Sequence, residues 1–376
     1  AAPAGEARAV GPSRATSHTV TLDAPGAYAI DLTNQTGVVN QSIVVRNAGT
    51  ADLVNPWVVA NGRRDWFDAS AILAEAVGET TAPMEKAWSI WHFVRRNRTH
   101  WYPASDGVEM HDVTKLFNVY GYGFCDDTAT ALECLWKRAG FEARCWDLKA
   151  HVVSEVKVDG RHRMLDADLG VFYPMHDNAT VAGVEECAAD RSLVERVSPP
   201  HIADMYTTPT RESFQNQWAT THTMAMTLRP GESLERGFRS RGKFHDNYLR
   251  QEPPLYGNGR LAYEADLTTD TFRASFQTVT NVVRTTDPLS APAIHPADTA
   301  KNGVLVWRMT SPYVFVGGAV TLDARAAAKG DEIHVFAAKR NTALRSVGTV
   351  SGPFNGRVSF PLDALIAPTS SPACYA

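Results

Sequence analysis

The chain has 376 residues, 44% of them hydrophobic and 21% charged, with 37 basic against 41 acidic side chains and a net charge of −4. That length exceeds what one core usually organises, so two or three domains are expected. The near-balanced charge argues against a nucleic-acid partner, and no apolar run is long enough for a membrane-spanning helix.

The sequence begins AAPAGEARA without Met. This reads as a mature N-terminus left by signal cleavage at small residues, so a secreted or periplasmic protein is expected. Residues 1–17 lack apolar periodicity and read as a flexible tail. From His18 to residue 64 the pattern is β: TVTLD, AYAIDL and SIVVRN alternate or run β-branched, with turn signals at APG and NQTG. The period then changes. From Pro83, the residues Ala87, Ile90, Trp91 and Val94 recur at helical spacing, and Arg95 and Arg96 suit the C-terminal end of that helix. A second helix follows Cys125, with Ala129, Leu132, Trp136 and Ala139 on one face and Gly140 as its stop.

Strands return with ARCWDL, HVVSEVKV and HRMLDADL. Met175 to Pro209 has no strong period, and the remainder is β-rich with Gly and Pro turns, as in one or two β-sandwiches. The expected organisation is therefore a tail (1–17), an N-terminal β segment (18–64), an α+β domain (65–200) and a C-terminal β region (201–376).

The chemistry concentrates in GYGFCDDTATALECLWKRAG. Gly121 and Gly123 let the backbone bend before the helix, and Cys125 then opens it. Unpaired N–H groups and the positive dipole end favour a thiolate there, and the same groups can bind an oxyanion. Downstream, Asp159-Gly160 is a two-residue hairpin signal. A continuous register would set Val158 opposite Arg161, Val156 opposite Arg163, Val153 opposite Asp166 and His151 opposite Asp168. His151, Asp166 and Asp168 would then share one face. An imidazole oriented by a carboxylate is what a thiol nucleophile needs.

The order helix-initial Cys, strand-initial His and strand-terminal Asp resembles the transglutaminase-like superfamily of cysteine enzymes. GFCDDTATALECLWKRAGFEARCWD is similar to that family's Cys helix and following strand, and HVVSEVKVDGRHRMLDADLG to its His–Asp hairpin. The resemblance covers residues 65 to 173. It implies a papain-like α+β core flanked by antiparallel β-sandwich segments, with Cys125 as nucleophile, His151 as general base and acid, and Asp166 as the orienting carboxylate. The register argument favours Asp168 as the partner of His151, so Asp168 stays second. Val153 stands where the family usually has an aromatic and Ala167 where it has Pro, and the Cys-to-His interval is short, which leaves the substrate type open.

The oxyanion hole should combine the Cys125 N–H with an upstream side chain, for which Trp101 and Asn118 are candidates, while Tyr122 would line the site. Arg95, Arg96 and His100 would bind substrate if they face the cleft. Cys134 and Cys145 read as buried thiols or a local disulfide, and Cys187 and Cys374 could pair, which the sequence alone does not decide. The dipeptides His111-Asp112, His176-Asp177 and His245-Asp246 read as solvated turns. With no Cys-x-x-Cys or zinc-helix spacing, no metal or other cofactor is implied.

Three functions fit. The first is thiol acyl transfer on a protein or peptide amide, ending in hydrolysis. The second is a lyase acting on an acidic glycan through Tyr122, His151 and nearby basic groups. The third is a binding module with a relic triad.

Overall fold

The structure is a computed structural model. It describes residues 6–10, 17–24, 26–32, 41–60, 66–100, 111–212, 220–238, 259–285, 290–313, 315, 317–339 and 342–366. Helices and strands are both abundant, so the chain is of the mixed α+β class.

The N-terminal strands are β1 (Glu6–Val10), β2 (Ser17–Leu22), β3 (Gly26–Leu32), β4 (Gln41–Asn47) and β5 (Leu53–Ala60). β1 falls inside the expected tail. An edge strand needs only backbone donors and acceptors, and this Ala-rich stretch supplies them to β3. The expected antiparallel pairing is corrected too, because β2 pairs parallel with β4, and β3 parallel with β5. Successive strands go to different sheets, so β2 and β3 do not form a hairpin. Chain from beyond residue 220 completes both sheets: β12 (Thr227–Leu228) joins β5, and β13 (Glu232–Phe238) lies between β4 and β14 (Gly259–Tyr263). The core between the sheets contains Leu22, Ile43, Val45, Leu53, Met226, Leu228 and Leu234.

The central unit begins with helices α1 (Ala69–Val77) and α2 (Pro83–Asn97), then a two-residue strand β6 (Thr99–His100), a short turn of helix α3 (Val113–Lys115) and a π-helix at Leu116–Tyr120. Strand β7 (Tyr122–Gly123) pairs parallel with β6 and leads into α4 (Cys125–Arg138). The strands β8 (Ala143–Leu148), β9 (His151–Val158), β10 (Arg161–Met164) and β11 (Pro209–Glu212) form one antiparallel sheet in the order β10-β9-β8-β11. Between β10 and β11 lie α5 (Val184–Ala189), α6 (Ser192–Glu195) and α7 (Pro200–Tyr206). These three helices occupy the stretch read as aperiodic. At four to seven residues each, they are too short to display a helical period. The unit thus runs past residue 200, to Glu212.

Both faces of this sheet are covered. Ala143, Val156 and Val158 join a cluster with Ala87, Ile90 and Trp91 of α2 and Ala131, Leu132, Leu135 and Trp136 of α4. Trp146, Leu148 and Val153 face the other way, onto Val184, Leu193, Ala203 and Tyr206 of α5–α7. Each fully buried aliphatic side chain contributes about 1.5–3 kcal/mol. Trp136 also donates its indole N–H to the Ala87 carbonyl (3.2 Å), tying α4 to α2. Gly140 at φ +92° ends α4, as its sequence predicted.

The C-terminal strands form pairs and not larger sheets among the described residues: β15 (Thr278–Thr280) with β18 (Val304–Val306), β16 (Val282–Arg284) with β17 (Ile294–Pro296), β19 (Ala319–Ala326) with β22 (Phe354–Pro361), and β20 (Glu332–Ala337) with β21 (Arg345–Ser351). Ala324, Val335, Val350 and Phe360 form the core of the last two pairs. Within this β-rich region, Asp270–Ser275 is 3₁₀-helical, opened by the Thr269 side chain accepting from Thr271 N. A short helix α8 (Asp363–Ile366) follows β22. Among the described residues, no helix is long and apolar enough to cross a membrane.

Candidate active site

Cys125 is the first residue of α4, following Phe124 in extended conformation. Its N–H belongs to the first helical turn and has no acceptor within the helix. Asp127 completes the cap: its Oδ2 accepts from Phe124 N at 2.7 Å. A Cβ at position 123 would lie 2.7 Å from that oxygen, so Gly123 is required for the cap to close. The Cys125 side chain is half-buried and packs on Ala129, Cys145 and Val152.

His151 opens β9 directly after the tight turn at Lys149-Ala150, where Ala150 takes φ +61° and Leu148 pairs with His151. The ring is 5% exposed, and its Nε2 lies 2.7 Å from Asp166 Oδ2. The Cys125 side chain lies near enough to the ring to act on its charge. With Nε2 engaged by the carboxylate, Nδ1 is the nitrogen left for sulfur. Burial alone would lower the His151 pKa. The hydrogen bond with Asp166, the neighbouring Cys125 sulfur and the charges of both groups outweigh burial and raise it from 6.5 to about 10.

The hairpin register holds from Arg161 to Met164, with Val158 opposite Arg161 and Val156 opposite Arg163 at a turn where Asp159 and Gly160 both have positive φ. One more in-register bond, from Leu165 N to Ser154 O (3.2 Å), follows, and the ladder then stops. Asp166 and Val171 exchange backbone hydrogen bonds of 3.0 Å and close a tight loop. This overturns the register that set Asp168 opposite His151. Asp166 Oδ1 accepts from the N–H groups of Asp168 (2.7 Å) and Leu169 (3.2 Å), while Oδ2 accepts from His151 and from the phenol of Tyr206 on α7. Four donors therefore hold a carboxylate that is 2% exposed. Tyr206 was not anticipated, and no sequence signal marks a tyrosine at the end of a seven-residue helix.

Asp168 turns the other way. It is ion-paired with the buried Arg98, and His100 Nδ1 lies 2.9 Å from each of its oxygens. Burial opposes its charge, but the His100 hydrogen bond and the Arg98 guanidinium hold its pKa below the usual carboxylate value. Arg98 also donates to the Gly123 carbonyl at 2.9 Å, so this cluster is fastened to the segment that delivers Cys125.

The other expected site residues lie elsewhere. Asn118 donates to the carbonyls of Trp66 (2.7 Å) and Thr114 (3.0 Å), which commits its amide to the π-helix and not to an oxyanion. Tyr122 is a core residue edge-on to Tyr120, and burial pushes its phenol up to about 12. Arg95 lies over the Trp91 ring (5.3 Å) and against Gly170, and Arg96 is exposed on α2. Trp101, His245 and Cys374 lie outside the described residues. Cys134, Cys145 and Cys187 are free thiols, so of the two readings of Cys134 and Cys145 the structure has the thiols and not the local disulfide. Cys145 instead donates to Glu133 at 3.2 Å.

Among the described residues, His111, Asp126 and Asp127 form a group that could hold a cation, with one ligand atom from each within 4.8 Å of the others. The Asp127 oxygens already serve the α4 cap and His111 Nε2 (3.2 Å). A scan against protein-family models finds no match to this chain, and neither does a search of curated proteins.

The arrangement can polarise a thiol, accept its proton on a buried imidazole, and keep that imidazole oriented by the Asp166 carboxyl group. The start of α4 supplies backbone N–H groups where an oxyanion would develop.

Proposed function

We propose that this chain is a transglutaminase-like cysteine enzyme that works by thiol acyl transfer and most directly hydrolyses an amide or peptide bond. The observation that supports this best is the buried His151–Asp166 pair (2.7 Å) near Cys125, the first residue of α4. Cys125 sulfur attacks the carbonyl carbon, and the Cys125 N–H stabilises the oxyanion. His151 takes the thiol proton and delivers it to the leaving amine. Water then cleaves the thioester, releasing the acid and restoring the thiol.

The lyase reading needs a phenol at the reacting carbon, and the burial of Tyr122 in the aromatic core speaks against it. The relic-triad reading predicts ordinary thiol reactivity. The test is p-nitrophenyl acetate turnover with mass analysis of Cys125. A burst of nitrophenolate and an acetyl group on Cys125, both absent in Cys125→Ala, are expected. A wild-type protein with neither would sink the acyl-transfer reading.

A further inference from the structure

We propose that His100 is a second acid–base residue of this site, held by Asp168 and Arg98, which activates the water that resolves the acyl-enzyme. The inference rests on the acyl-transfer reading and deepens it.

Position comes first. β6 places His100 beside Gly123, two residues before Cys125. The His100 ring lies 5.7 Å from that of Phe124, the residue preceding Cys125. Asp168, which holds the ring, is also 3.5 Å from the Thr128 hydroxyl, three residues along α4 from Cys125. Its carboxylate feels the charge of His151. The two imidazole–carboxylate couples are thus neighbours at the start of one helix.

The two rings differ in exposure. The His151 side chain is 5% exposed and the His100 side chain 38%. A buried ring suits a proton exchanged with sulfur, whereas incoming water needs a base that solvent can reach. The Nδ1 hydrogen bonds to Asp168 fix which His100 nitrogen carries the proton and leave Nε2 as the basic atom. A purely structural role explains these contacts less well. Arg98 and Asp168 are 2% and 1% exposed and already neutralise each other, so that pair does not require a half-exposed imidazole.

In the step proposed, water oxygen forms a bond to the thioester carbon while one of its protons passes to His100 Nε2. The tetrahedral intermediate then collapses: the C–S bond breaks, the electron pair returns to Cys125 sulfur, and the carboxylic acid leaves. The exposed His100 imidazolium gives its proton to solvent.

The test uses the full chain with p-nitrophenyl acetate, Cys125→Ala providing the background. In His100→Gln the acylation burst should persist while breakdown of the acetyl-enzyme slows about tenfold or more, the scale of general acid–base contributions. In His100→Ala, added imidazole should restore breakdown. Unchanged breakdown in His100→Gln overturns the proposal. So does a parallel loss of burst and breakdown without imidazole rescue. Absence of any burst from the wild-type protein overturns the acyl-transfer reading and this inference with it, whereas a normal burst with unaffected variants overturns this inference alone.

Discussion

Tyr206 donates its phenolic hydrogen to Asp166, 40 positions earlier in the chain, on the same oxygen that receives His151. Burial and the Asp166 charge both push the phenol far above its ordinary value, so it remains a donor across the working pH range. Tyr206→Phe keeps the ring against His151 (5.6 Å) and Tyr173 (5.1 Å) and removes one buried bond to a charge. A loss of about 1.5–3 kcal/mol in urea unfolding is expected. Asp166 retains His151 and two backbone donors, so alkylation of Cys125 by iodoacetamide should fall less than in Asp166→Asn.

The raised pKa of His151 fixes a pH window. A group that binds its proton more tightly in the folded state contributes stability that is complete below its unfolded value, here 6.5, and is lost as pH rises through about 10. Wild-type stability should therefore decline across that interval more steeply than that of His151→Gln, as read from urea midpoints at matched ionic strength. At about pH 6.5, where an ordinary thiol is protonated, wild-type Cys125 should alkylate about tenfold or more faster than in the variant. Equal rates would remove His151 from the chemistry of the thiol.

Asp166 and Asp168 should separate when each is changed to Asn. Asp166→Asn removes the anion that orients His151, and p-nitrophenyl acetate turnover should fall about 10²–10⁴-fold, the scale of a lost acid–base partner. Asp168→Asn leaves the Arg98 guanidinium buried without its counter-charge, so stability should fall by about 3–5 kcal/mol. The Asp168 pKa is depressed, so its contribution is present above the unfolded carboxylate value and disappears as pH falls through the folded one. As pH falls, wild-type stability should therefore decline more steeply than that of Asp168→Asn, and the difference between the two should shrink. If Asp168→Asn keeps wild-type stability, or Asp166→Asn keeps wild-type turnover, the division of labour drawn here is wrong.

How much of this was legible in the sequence follows from which interactions are local. Gly123, Cys125 and Asp127 lie within five residues, and the Asp159-Gly160 turn fixes its own hairpin, so the helix start and the His151 strand could be read directly. The choice between Asp166 and Asp168 could not. It depends on the ladder ending at Leu165, and the loop that follows is stabilised by Tyr206, Arg98 and His100 from distant segments. The N-terminal strands were recognisable by alternation, but alternation carries no information on which sheet a strand joins. Asn118 and Tyr122 looked available because the sequence cannot show that an amide is spent on Trp66 O, or that a phenol faces Tyr120.

Glu155 gives a last expectation, because its environment tolerates only an acceptor. It lies on β9, fully buried. Its Oε2 accepts from Arg144 Nε and Trp146 Nε1, both at 2.7 Å, and its Oε1 accepts from Val184 N at 2.6 Å, the first residue of α5. A glutamine there must point its NH₂ at one of those donors, whichever way the amide is flipped. Glu155→Gln should therefore cost about 3–5 kcal/mol, as breaking a buried charge pair does. The loss should begin at the contact between β9 and α5, so amide exchange in Val184–Ala189 should accelerate before that in α4. Because α5 packs with α7, which carries Tyr206, turnover should also drop while the Cys125 helix stays protected. Uniform acceleration across α4 and α5 would mean instead that the two faces of the sheet unfold as one unit.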